Sequence, residues 1–143
     1  MELPTDPIVA ITTAPGRGAV VARIRGVQGP AAKSPVILMG HMDVVGVVRE
    51  QWTADPFAAE VRDGVLYGRG AIDDKGMLIA NLQAMLALQR RVKAGQVLTR
   101  DVIYVANADE EAGGDFGMGW LLKNHPDAIR AEYALNEGGR TRI

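Results

Sequence analysis

The spacing of apolar and polar positions divides this chain into short strands and one long helix. Pro7 to Thr13 and Ala19 to Ile24 have strand character, separated by the turn Ala14-Pro15-Gly16-Arg17-Gly18. In the second, Val20, Ala22 and Ile24 share one face while Val21, Arg23 and Arg25 share the other, which predicts one wet side. Gly26 to Pro35 is a loop, and Val36-Ile37-Leu38-Met39 is apolar on both faces, the mark of a central buried strand. Trp52 to Pro56 is irregular. Glu60-Val61-Arg62 and Val65-Leu66-Tyr67 flank Asp63-Gly64, a pair that tolerates the positive φ of a type I′ turn, so a hairpin is predicted. Leu78, Leu82, Met85, Leu86 and Gln89 follow the helical period within a helix from about Lys75 to Lys93. Arg90, Arg91 and Lys93 at its end complement the helix dipole better than they make a basic patch. Val102-Ile103-Tyr104-Val105-Ala106 is another apolar strand, Phe116 to Lys123 a short helix closed before Pro126, and Tyr133-Ala134-Leu135 the last strand.

The β-α-β-α-β order after Val36 predicts a layered α/β sheet with right-handed crossovers. Without repeats, low-complexity tracts or linkers, residues 1–143 read as one domain or part of one. A chain of 143 residues with 48% apolar and 23% charged content can build one ordinary soluble core. The formal net charge of −1 supplies no attraction to nucleic acid or to an anionic membrane. No apolar run approaches the roughly 20 residues needed to span a bilayer. Met1-Glu2-Leu3-Pro4-Thr5-Asp6 lacks the basic start and apolar stretch of a signal peptide, which leaves the compartment open. The absence of cysteine excludes disulfides and thiolate sites, so a metal would rest on histidine and carboxylate, a donor set suited to zinc, manganese or cobalt.

Candidate chemistry falls into clusters that each follow a short apolar run: His41-Met42-Asp43, Asp73-Asp74, Asp109-Glu110-Glu111 and Glu137. A neutral imidazole after a buried strand is a good ligand, and a carboxylate two residues on can accept its other ring N–H and fix the tautomer. Taken alone, His41 reads more readily as a surface or capped residue; its place directly after a buried strand brings the ligand reading level with that one. Gly68 to Gly76 reads either as a glycine-rich turn with an Asp helix cap or, since two carboxylates exceed what a cap needs, as an ion-binding loop. It is not a dinucleotide fingerprint, because Asp73 stands where the third glycine belongs, and no phosphate-binding G-x-x-x-x-G-K-[ST] occurs. Asp109-Glu110-Glu111 is either a solvated loop or, at the end of a strand in an α/β sheet, part of a ligand crevice. Two neighbouring glutamates can divide labour, one binding metal and the other acting as a base.

The stretches ILMGHMDVV, YGRGAIDDKG, ANADEEAGG and LNEGG, in this order and strand context, resemble the M20 family of co-catalytic metallopeptidases and aminoacylases. They look most like its carboxypeptidase S-like branch, and the resemblance runs from about Val36 to Gly139. It implies a three-layer α/β/α zinc-peptidase-like catalytic domain that hydrolyses an amide bond of a small peptide or N-acyl amino acid. It further implies two Zn2+ ions, with Co2+ or Mn2+ possible in their place. His41 and Glu137 would bind one metal, Asp73 would bridge, and Glu111 would join the second. Asp43 would support His41, Glu110 would be the general base, and the Asp73–Asp74 peptide would be cis.

The sequence also departs from that pattern. The family has a second metal-binding histidine far along the chain, and the other histidine here is His125, in Lys123-Asn124-His125-Pro126, which reads as a surface residue at a helix end. The small lid and dimerisation domain and the N-terminal helical lead-in have no counterpart. The expectation is therefore an incomplete catalytic domain over 1–143 with no second domain, and a homodimer only for a full-length protein. Two alternatives stand beside the hydrolase: a non-catalytic metal-binding fragment, inactive because the last histidine and the lid are missing, and a plain structural α/β domain with incidental acidic loops.

Overall fold

The computed structural model describes residues 5–138. Its strands are β1 (Thr5–Ala14), β2 (Arg17–Ile24), β3 (Val36–His41), β4 (Glu60–Arg62), β5 (Val65–Tyr67), β6 (Val102–Asn107) and β7 (Tyr133–Leu135); the helices are α1 (Lys75–Lys93) and α2 (Met118–Asn124). Five strands form one sheet in the order β1-β2-β6-β3-β7, and β4 and β5 form a separate hairpin. β1 pairs antiparallel with β2 and β2 with β6, whereas β6, β3 and β7 are mutually parallel. The parallel half requires crossovers, and α1 and α2 supply them.

The two helices cover opposite faces of the sheet, which makes three layers. On one face Ile24, Val102, Tyr104 and Ala106 pack against Leu78 and Met85 of α1. On the other, Ala19, Val21, Ile37, Ile103 and Val105 pack against Leu121 of α2 and Ile129. β6 lies at the centre and every one of its residues is buried, as its unbroken apolar run requires.

The sheet corrects the expectation of a wet side on β2. Val21 is buried under α2 and its neighbours, and Arg23 on the same face is tied to Asp101 at 3.0 Å. The first turn is also tighter than the sequence suggests: β1 and β2 are joined at Pro15-Gly16 alone, where Gly16 has φ 71°. The β4–β5 hairpin has the predicted two-residue turn, with φ 51° at Asp63 and 78° at Gly64. The short helix begins at Met118 rather than Phe116.

Topology decides where chemistry can sit. His41 pairs in register with Asn107, so β3 and β6 end side by side, and Leu38 pairs with Leu135 of β7. Loops leaving the carboxyl ends of these parallel strands converge on one rim. Because β2 is antiparallel to β6, with Ala19 opposite Asn107, its beginning lies on that rim too.

Candidate metal centre

His41 is the last residue of β3, 1% exposed, and its ring is held from both sides. Nδ1 lies 3.0 Å from the backbone carbonyl of Asp43 and 3.4 Å from the Asp43 carboxylate. A carbonyl only accepts, so Nδ1 carries the proton and donates it. Nε2 points at acids: it is 2.9 Å from Asp73 Oδ1, 3.3 Å from Glu137 Oε1 and 3.9 Å from Glu110 Oε2. Converging a ring lone pair with several carboxylates leaves positive charge as the missing component.

The titration behaviour carries the same imprint. Burial, the largest single effect on His41, pulls its pKa down, but the hydrogen bond with Asp73 and the charges of Glu137 and Asp43 outweigh it and raise the pKa above its ordinary value. Burial chiefly raises the pKa of Glu137; attraction to His41 offsets part of this, and the neighbouring Asp74 and Asp73 add to the rise. Each shift relieves an excess of negative charge in a partly dry place.

Among the described residues, two groups of side chains bring their donor atoms within 4.8 Å of one another: His41 with Asp73 and Glu111, and His41 with Asp74 and Glu137. Their nitrogen and oxygen donors match a divalent cation such as zinc, so the residues fit a metal. Beside its contact with His41, Asp43 makes a second set of contacts. Its two carboxylate oxygens accept the backbone N–H groups of Glu110 and Glu111, at 3.2 and 3.1 Å. One carboxylate therefore holds the acidic loop beside the histidine. A cleft of about 380 Å³ opens here, lined among others by Met39, His41, Asn107, Glu110 and Glu137.

The sequence matches Peptidase family M20/M25/M40 over residues 37–142. The chain belongs to that family. It is 37% identical over 123 residues to a cysteinylglycine-S-conjugate dipeptidase of Corynebacterium striatum, which covers 84% of this chain and 26% of the relative. It is 41% identical over 108 residues to aminoacylase-1 of Sus scrofa, covering 73% of this chain and 26% of that protein. The chain thus spans about a quarter of the length of these curated relatives. In fold it resembles an M20 family metallo-carboxypeptidase from Sulfolobus solfataricus, with TM-score 0.68 and 24% identity over 92% of this chain and 29% of that one. Human carnosine dipeptidase 1 gives TM-score 0.67 and 23% identity over 91% and 28% of the two chains.

Within this M20/M25/M40 chain the predicted residues His41, Asp73, Glu110 and Glu137 meet around one ring nitrogen, and Glu111 lies beside His41 and Asp73. The Asp73–Asp74 peptide is cis, as the resemblance implies. His125 lies elsewhere, at the end of α2, with its ring tilted against Trp120 at 5.3 Å; it lines a separate groove with Val9 and Ile11.

Three residues at the site have no assigned role in the sequence reading. Asp74, 1% exposed, uses Oδ2 to accept the His41 backbone N–H at 3.1 Å instead of capping α1. Gly40 permits that approach, since a Cβ there would collide with the Asp74 carboxylate. Asn107 is buried and its Oδ1 has no hydrogen-bond partner among the described residues. The doubled aspartate was the available signal for Asp74; nothing in the local sequence marks the other two.

Proposed function

We propose that the protein is a metal-dependent hydrolase that cleaves an amide bond in a small peptide or N-acyl amino acid. The observation that carries this reading is the convergence of Asp73, Glu137 and Glu110 on His41 Nε2 at the rim of the parallel strands. The names of the relatives, a dipeptidase and an aminoacylase, supply the substrate class. In this reading His41, Asp73 and Glu137 would hold one cation, with zinc the preferred ion for this donor set, and Asp73 and Glu111 would take part in a second site. When bound, divalent cations supply Lewis acidity that polarises the amide carbonyl and lowers the pKa of water.

The side chains do the rest. Asp43 fixes the His41 tautomer by accepting a hydrogen bond from Nδ1–H at its carbonyl, so Nε2 would keep its lone pair for a cation. Asp73, 2.9 Å from His41 Nε2 and grouped with His41 and Glu111, would offset part of the repulsion between two neighbouring cations. Glu110, its side chain 51% exposed, faces the cleft with its Oε2 3.9 Å from His41 Nε2. It takes a proton from water as the water oxygen bonds to the carbonyl carbon, and returns that proton to the amine nitrogen as the C–N bond breaks.

The test is Glu110→Gln in the full chain, loaded with zinc and offered N-acyl amino acids and dipeptides. Turnover is expected to fall at least about 10²-fold while metal stoichiometry is unchanged. Near-normal rates would remove Glu110 from the mechanism. One weakly held metal and no turnover in the parent chain would favour a non-catalytic metal-binding role.

A further inference from the structure

The acidic loop is anchored from a second direction, at a residue the chemistry above does not use. Asp109 immediately precedes Glu110, and its side chain is 3% exposed although it is charged. Its Oδ1 accepts the Nε–H of Arg17, and its Oδ2 accepts the backbone N–H of Phe116 at 3.0 Å. Its carbonyl accepts the N–H of Gly114 at 2.6 Å, which closes the loop into a single turn. The backbone there has φ 74°, a left-handed conformation that aspartate and asparagine tolerate better than most side chains.

Arg17 opens β2 at the rim where β6 ends, so the antiparallel half of the sheet delivers a cation to the loop that follows the parallel half. Its guanidinium also lies 5.6 Å from the centre of the Phe116 ring, on the far side of the same loop. Next to it, the Ala108 N–H donates to the carbonyl of Gly18 at 3.0 Å, so β2 is tied to the loop by its backbone as well.

We propose that Arg17 is a positioning residue for Glu110, acting through the buried carboxylate of Asp109. The proposal rests on the reading of Glu110 as the base. Glu110 is a flexible, half-exposed side chain that approaches His41 no closer than 3.9 Å. Its place is set by its backbone, between the Asp43 clamp on its own N–H and the anchored residue before it. Without Arg17, one oxygen of a buried carboxylate is left without a partner, and its cheapest escape is outward, carrying Glu110 along.

The experiment compares Arg17→Ala, Arg17→Lys, Asp109→Asn and the Arg17→Ala/Asp109→Asn double variant in the full chain, with Glu110→Gln in parallel. Asp109→Asn keeps the backbone conformation and one acceptor but removes the charge that Arg17 reads. Because a misplacement of about 1 Å can cost up to about 10²-fold, Arg17→Ala is expected to lower kcat at least about 10-fold. KM and metal stoichiometry should stay within about twofold, and amide exchange across residues 109–116 should accelerate, an effect readable without turnover. Arg17→Lys should recover part of kcat, and the double variant should lose no more than the worse single, as expected of two groups acting as one unit. Unchanged kcat in Arg17→Ala, or additive losses in the double variant, would overturn the proposal while leaving the base reading intact. Full turnover in Glu110→Gln would overturn both, and loop exchange would then still report whether Arg17 orders the segment.

Discussion

A glycine and an aspartate on neighbouring segments determine how close β3 and α1 come. Gly40 has no side chain, and the Asp74 carboxylate occupies the space a Cβ would need, with Leu78 just beyond. From there Asp74 accepts the His41 backbone N–H, which fixes the end of β3. Gly40→Ala is therefore expected to lower the unfolding free energy by about 1–3 kcal/mol, the usual range for overpacking a tight site. Urea unfolding measures this, and an unchanged midpoint would mean that Asp74 can withdraw freely. Residues such as His41, Asp73, Glu111 and Glu137 can be picked out of the sequence because each follows an apolar strand or opens a helix, and an acid there has somewhere to converge. Gly40, Asn107 and Arg17 cannot, since their importance depends on what another segment brings to them. Arg17 in particular looks in sequence like any charged residue beside a hairpin turn.

The elements show where periodicity works and where it misleads. α1 has the predicted bounds, yet Leu86 is 37% exposed, and Leu88 and Val92 pack toward the sheet in its place. The apolar stripe of a 3.6-residue period is broad, so its margin is decided by the surface it meets. Leu78→Ala, which removes a side chain 5% exposed, should cost about 2–4 kcal/mol in urea unfolding. Leu86→Ala should cost less than about 1 kcal/mol, and equal losses would contradict the packing described. At the other end of the sheet, Asp101 accepts hydrogen bonds from the Gly26 N–H at 2.8 Å, Arg23 at 3.0 Å and Arg25 at 3.1 Å. Burial is the largest single effect and raises its pKa, but these partners together outweigh it and hold the pKa below the ordinary aspartate value. The folded chain therefore binds this proton less readily than the unfolded one. The associated stability is fully present above the unfolded aspartate pKa of about 3.9 and is lost as pH falls through the folded pKa. Asp101→Asn should flatten stability against pH below about 4 and lower it near neutrality by about 2 kcal/mol, as measured by denaturant titration at several pH values.

For the whole molecule, the sheet gathers residues from positions 41 to 137 at one rim, and most of them are acids. The folded state therefore holds mutual repulsion that a bound cation relieves and that the unfolded chain does not share. A divalent ion at about 100 times its Kd stabilises the state that binds it by about 2.7 kcal/mol. Zinc is expected to raise the thermal midpoint of the parent chain and leave that of His41→Ala unchanged; a flat response in both would argue against a preformed site. The strand order has a consequence in time as well as in space. β6 lies between β2 and β3, both of which precede it in the chain. During synthesis those two strands leave the ribosome with their inner edges bare, and neither can close the sheet until residues 102–107 arrive. When β6 fills that seam it brings Asp109, Glu110 and Glu111 on its trailing end, so the centre of the sheet and the acidic loop arrive by the same late insertion.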